Sequence, residues 1–176
     1  MKSAIRRGTR IGLALLLVVM AFPPVPTAAS GTEQLVMLVP NIRGSSTLSG
    51  HIGWIDLLSF AGSGVAPAGS GGGQPCQMVV QKNLDMASPP LWLATVTGQP
   101  IASIKVDLVK VGATSTPYVA YEIELETVQI TSIGDAGSTA IPQETLTFRA
   151  AKGIVTFYER NPSTGQITKT TVSFTC

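Results

Sequence analysis

A mainly β fold with one short helix follows from three features of the 176-residue sequence. Val, Ile and Thr alternate with polar residues over most of the chain beyond residue 30, which turns one face of each strand inward and the other outward. Gly, Pro, Asn and Asp gather between those runs, where tight turns need them. A single stretch, Ser88 to Val96, carries both helix start and helix stop signals. About seven strands with short connections and one helix point to a barrel or a sandwich.

The first strand is predicted over Leu35 to Ile42, followed by a polar turn region from Arg43 to Gly50. His51 to Phe60 reads as a second strand of mixed parity. Ala61 to Pro75 contains Gly62, Gly64, Gly69, Gly71, Gly72 and Gly73 and almost no large side chain. Such a stretch has too little apolar surface to offset its ordering entropy, so a mobile loop is expected there. Cys76 to Lys82 is a short strand. In the helix, Ser88 is the candidate N-cap, Pro89 suits the first helical position and Gly98 the end. Leu91, Leu93 and Ala94 are expected to face a sheet. Ile101 to Val111 alternates cleanly. Tyr118 to Ile130 is the longest strand, with Val119, Tyr121, Ile123 and Leu125 on one face and Glu122, Glu124 and Glu126 on the other. Its parity flips after Thr127, the usual mark of a one-residue bulge. Gly134 to Ala140 is a turn. Gln143 to Ala151 and Ile154 to Arg160 are strands, or one strand bent at Gly153. Asn161 to Gly165 has the residues of a hairpin loop, and Gln166 to Thr175 is the last strand.

The first 30 residues read as a secretory leader rather than as part of this fold. Lys2, Arg6, Arg7 and Arg10 form a basic start, Ile11 to Phe22 an uncharged apolar run, and Pro23 to Ser30 a stretch of small and polar residues. The apolar run is shorter than the roughly 20 residues of a spanning helix. Cleavage after Ala29 or after Ser30 satisfies the small-residue rule. Arg6-Arg7 lacks the apolar residues that follow the pair in twin-arginine signals, which favours the general secretory route. The expected organisation is therefore a leader over 1–30 and one domain over 31–176, located in the periplasm or secreted, with no stable membrane span after cleavage.

The chain has 12 basic and 10 acidic residues. Four of the basic ones lie in the leader, so the mature part carries eight against ten, a net charge of −2. It has no basic stripe, which argues against nucleic-acid binding. Cys76 and Cys176 both remain after processing. An oxidising compartment favours a bridge between them, closing a loop of about 100 residues and stabilising by roughly 4–5 kcal/mol. Two free thiols, or Cys176 paired between chains, are the alternatives.

Several segments, in a fixed order, resemble the haemolysin-coregulated protein (Hcp) family. They are Asn41 to Gly44 with Ser45 and Ser46; His51, Asp56 and Phe60 in the second predicted strand; Lys82, Asp85, Ser88 and Pro89 leading into the helix; Tyr121 to Leu125 and Val128 to Ile133; Glu144 through Phe148; and Tyr158. The resemblance runs from about Gln34 onward. It implies a closed β-barrel of two antiparallel sheets with one short flanking α-helix. It further implies a non-enzymatic subunit of hexameric rings, which stack into the inner tube of a type VI secretion apparatus and carry effectors. Ala61 to Pro75 would then be the loop of ring stacking. One departure matters: tube subunits of the family assemble in the cytoplasm without a secretory leader, and this chain has one.

Residue chemistry supports few alternatives. His51 is the one histidine, and the cysteines lack zinc spacing, so neither a metal nor another cofactor is expected. His51 with Asp56 and Ser49 could be taken for a triad, but residues 51 and 56 differ in strand parity. The plainer reading of His51 is a turn residue bonded to backbone near Arg43 and Gly44. Glu122, Glu124 and Glu126 stand about 7 Å apart along one face, which is a solvated face before it is a glycosidase pair. The glycine run is not followed by the Gly-Lys-Ser/Thr of a phosphate loop. A monomeric exported binding or adhesion module on the same fold is the second functional reading, and a hydrolase built on Glu122, Glu124 or His51 the third.

Overall fold

The computed structural model describes residues 32–63, 76–111, 116–137 and 141–176. The expected leader lies outside them, as do Gly64, Gly69, Gly71, Gly72 and Gly73 of the glycine-rich stretch. Eight strands and one helix follow in the order β1 (Thr32–Leu38), β2 (Ile55–Leu57), β3 (Ser59–Ser63), β4 (Cys76–Asn83), α1 (Ser88–Thr97), β5 (Ile101–Val111), β6 (Tyr118–Ala136), β7 (Gln143–Arg160) and β8 (Ile167–Thr175).

All eight strands belong to one antiparallel sheet, curled into a half-barrel, in the order β2-β1-β5-β6-β7-β4-β3, with β8 also on β7. The pairing thus forms one sheet where two were expected. The two outer positions of that order are held by neighbouring pieces of chain, β2 and β3, separated only by Leu58. The Leu58 N–H donates to Gln81 O of β4 at 2.7 Å. The core fills the concave side: Met37, Ile55, Val80, Leu91, Ile104, Val106, Leu146 and Phe148 are essentially inaccessible.

The long strand β7 organises the sheet. Its residues from Gln143 to Phe157 pair with β6. On its other edge, β4 pairs with the first half, Gln143 to Ala150, and β8 with the second, Lys152 to Arg160. β4 and β8 thus lie end to end along one neighbour. Cys76 opens β4 and Cys176 follows β8, and the two are joined by a disulfide where the strands meet. The bridge expected from the compartment is therefore the intramolecular one.

Several element boundaries differ from the expectation for local reasons. β1 stops at Leu38 because Asn41 adopts a left-handed conformation, φ 65°, that turns the chain, and the Ile42 N–H donates back to Val39 O at 3.1 Å. His51 to Trp54 are a turn, not strand, with Gly50 and Gly53 at φ 83° and 80°. Ala61 and Gly62 extend β3 against Val79 and Met78 instead of opening a loop. β6 runs six residues past Ile130, through Ser132 and Gly134 to Ala136.

The parity flip near Thr127 is real but is not a bulge there. Register stays in step on both sides, from Glu126↔Lys152 to Val128↔Ala150 and from Ser103↔Glu126 to Ile101↔Val128. Burial switches parity in all three strands at that row, from Ile104 to Ile101, Leu125 to Val128 and Gly153 to Ala150. Thr127, at φ 53°, marks the crease. Register shifts occur instead at Leu108/Val109 and at Ile130/Ser132. The first leaves Ala120 unpaired and buried, so Val119 does not share the face of Ile123. β7 passes Gly153 as one strand, and a Cβ there would run into the Phe174 ring.

Candidate functional site

Four of the residues singled out by the family resemblance converge where α1 meets the sheet. Lys82 and Glu144 are cross-strand partners on β4 and β7, and both are fully buried. Lys82 Nζ lies 2.8 Å from Glu144 Oε2 and 2.8 Å from Asp85 Oδ1. It also donates to Ser88 Oγ at 2.9 Å and to Asn83 O at 2.9 Å. Ser88 is not the N-cap; Ala87 occupies that position without a side-chain bond. The Ser88 hydroxyl accepts from the Asp85 N–H at 3.1 Å and donates to Glu144 Oε2 at 2.9 Å. Asp85 Oδ1 accepts from the Ala87 N–H at 3.0 Å. Pro89 follows as the second helical residue, in the first turn where no N–H donor is needed.

The result is a sealed latch between β4, β7 and α1. An ammonium has three donors and no acceptor, and four oxygens surround this one. Ser88 is within reach of a lysine, as in a Ser–Lys nucleophile, but the ammonium sits between two carboxylates and away from solvent. The arrangement holds the helix; it does not present a reactive hydroxyl. Behind it, Leu91 and Ala94 pack on the sheet, while Leu93, expected inside, is turned outward and is 61% exposed. Phe148, two strand positions along from Leu146, is core and faces Met78 and Ile130 across its neighbours.

His51 forms a second buried constellation, with a partner the sequence did not reveal. Its Nε2 lies 2.8 Å from Asp107 Oδ2 on β5. Its ring stands edge-on to Trp54, with centroids 4.5 Å apart. The turn that aims it is closed by the His51 N–H donating to Leu48 O and the Trp54 N–H to His51 O. The expected backbone bonds near Arg43 and Gly44 go elsewhere: the Gly44 N–H donates to Gly53 O at 2.8 Å. Gly44 itself is pressed on the next chain segment, since a Cβ there would land on the Trp54 carbonyl and 2.6 Å from Ile55 Cα. Asp56, the nominal triad member, and Ser49 are exposed, and no serine hydroxyl bonds the imidazole among the described residues. Burial pushes the Asp107 carboxyl above its usual range, against the opposing pull of the His51 hydrogen bond, and Glu122 nearby adds to the rise. Asp107 escaped notice because β5 alternates so regularly that this position reads as an outward one.

The glutamate row is a charge ladder rather than a carboxylate pair. Lys105 on β5 lies 3.3 Å from Glu122 and 4.0 Å from Glu124, and Lys152 on β7 lies 3.0 Å from Glu126. Burial alone would lower the Lys105 value, but Glu122 first and then Glu124 raise it above the ordinary one. Tyr158 beside them is raised by burial and then by Glu122. Near the disulfide, a cavity of about 230 Å³ is lined mainly by apolar groups, including Phe60, Met78, Tyr121, Ile123 and Phe174. No group of three or more His, Cys, Asp or Glu side chains suited to a metal occurs among the described residues. Nor is any helix among them long and apolar enough to cross a membrane.

Solved structures share this fold. A type six secretion system protein is 20% identical, covers 82% of this chain and 96% of its own, and superposes with a TM-score of 0.67. A type VI secretion system effector from Yersinia pestis is 19% identical over 81% and 99%, with a TM-score of 0.63. Hcp1 from Salmonella typhimurium is 16% identical over 79% and 92%, with a TM-score of 0.64. No curated protein matches the chain. The family described as type VI secretion system effector, Hcp, matches residues 36–157. That span contains the Lys82–Asp85–Ser88–Glu144 latch and the His51–Asp107 pair, and the chain belongs to this Hcp family.

Proposed function

We propose that the mature chain is an exported, non-enzymatic subunit of the Hcp kind, which closes its curled sheet into a barrel and assembles into hexameric rings able to carry effectors. The observation that carries the reading is the latch. The residues that identify the family are consumed in holding α1 to β4 and β7, so they build a scaffold and not a reactive centre. Continuity of chain from β2 through Leu58 to β3 supports closure of the barrel, because one segment contacts both ends of the strand order. Family membership supports the ring, and the leader over 1–30 supports export, with cleavage after Ala29 or Ser30. The segment around Gly64 to Gly73 would serve stacking between rings.

The leader also favours a second reading. A subunit that leaves the cytoplasm by the general route is separated from the place where secretion tubes assemble, and an exported monomeric binding or adhesion module on this fold fits that fate. The hydrolase reading is weakened, since each glutamate of the row is within 4.0 Å of a lysine. Light scattering of the mature protein at tens of micromolar separates the first two readings. A mass of six copies is expected; a strict monomer removes the ring and leaves the binding module.

A further inference from the structure

Among the described residues, β8 presents an unguarded strand edge. All nine residues from Ile167 to Thr175 are exposed, on both faces, so the strand adds nothing to the buried core. Among the described residues it pairs with β7 on one side only. Natural edges are blunted by proline, by bulges or by several charges. β8 has no proline and a single charge, Lys169, in a run of Thr, Val, Ile and Phe that favours extended structure. It offers roughly 30 Å of open backbone at about 3.4 Å per residue. The disulfide at Cys176 fastens its far end to β4, so the edge is held in place without a core of its own.

The side chains around it form one apolar face. Register sets Phe157 opposite Thr170, Val155 opposite Val172 and Gly153 opposite Phe174. Phe157 is 53% and Val172 60% exposed. The other face is polar from Lys169 through Thr171 to Ser173, with Ile167 at its start. We propose that β8 pairs antiparallel with β8 of a second copy of this chain, about a two-fold axis through Thr171. Full overlap of two nine-residue strands puts the axis there. Thr170 then meets Val172 of the partner subunit, which extends the apolar face of both copies across the axis. Lys169 meets Ser173 of the partner subunit, so no like charges oppose. A parallel in-register pairing would set Lys169 against Lys169 of the partner subunit, and like charges directly opposite destabilise a sheet. The contact is isologous, unlike the rotational contacts that close a ring; where rings form, it would join one ring to another.

Ser173 tests the register because it is exposed and lies on the polar face. Ser173→Lys places a lysine opposite Lys169 of the partner subunit at two symmetric positions, and Ser173→Glu places an opposite charge at both. Sedimentation velocity of the mature, disulfide-bonded chain across about 1–200 µM measures association, with far-ultraviolet circular dichroism confirming that all three proteins are folded. From the size of cross-strand charge pairs, dimer affinity should fall several-fold to about tenfold in S173K and rise by a similar factor in S173E. Absence of any doubled species, of two copies or of twelve where rings form, or the same shift in both variants, overturns the proposal. A six-copy species indifferent to both substitutions also overturns it while leaving the ring reading standing.

Discussion

Lys82 concentrates the physics of this fold at one atom. Its ammonium is fully buried, and its stability there depends on Glu144, Asp85 and the Ser88 hydroxyl all staying in place. Removing one member of a buried ion pair leaves the other charge without compensation. Lys82→Met should therefore lower stability by about 3–5 kcal/mol, read from urea unfolding. Adding Glu144→Leu in the same chain should recover a substantial part of that loss, because the stranded carboxylate is gone. Asp107 makes a different test. Its carboxyl is raised by burial, so it favours the folded state most at low pH and loses that contribution as pH rises through the raised value. His51, Glu122 and Lys105 are the charged or titratable groups that act on it. Asp107→Asn should gain on the native chain as pH is raised from about 4 towards neutrality, seen as a narrowing or reversing gap in unfolding midpoints. A constant gap across that range would contradict the assignment.

Among the elements, β8 stands apart from the rest. The helix is held by the latch and by Leu91, and β1, β4, β5, β6 and β7 each send side chains into the core. β8 sends none and relies on its ladder to β7, the packing of Phe174 on Gly153, and the disulfide. Cross-linking a loop of this length stabilises by up to about 4–5 kcal/mol in the chain-entropy account. Cys176→Ser paired with Cys76→Ser should cost part of that. It should also raise hydrogen exchange first and most at Ile167 to Thr175, while Leu146 and Phe148 stay protected. Uniform loss of protection across the sheet would show that β8 is integral to the cooperative unit. The crease at Thr127 works at the same scale, since three strands change their buried parity together without losing register, and that lets one sheet wrap around its own core.

At the level of the whole molecule, export and assembly are the open properties, and each has a direct measurement. Expression with the native leader in a secreting bacterial host should yield a mature protein whose N-terminus is Ser30 or Gly31, identified by intact mass and N-terminal peptides. Retention of Met1 to Ser30 on the purified protein would remove the export half of the proposal. The mature chain should carry the Cys76–Cys176 bridge, visible as a mass increase of about two protons' worth on reduction. Assembly is the property on which the two functional readings part.

Much of the architecture was legible in residue order. Alternation located β4, β5 and β7 almost to the residue, because most of their positions alternate between a buried and a more exposed side, and period-two patterning reports that directly. Ser88, Pro89 and Gly98 bracketed the helix, and Asn161 to Gly165 the last hairpin, since those residues act through local backbone geometry. The Hcp resemblance picked out Lys82, Asp85, Ser88 and Glu144, though not what they do together. Long-range choices were decided only by tertiary structure. Asp107 as the partner of His51, the outward turn of Leu93, the shared crease of β5, β6 and β7, and the end-to-end meeting of β4 and β8 all depend on which segments lie side by side. A sequence encodes which face of a strand is apolar, but not which distant strand will supply the neighbour, because that is settled by the packing of the whole sheet around one core.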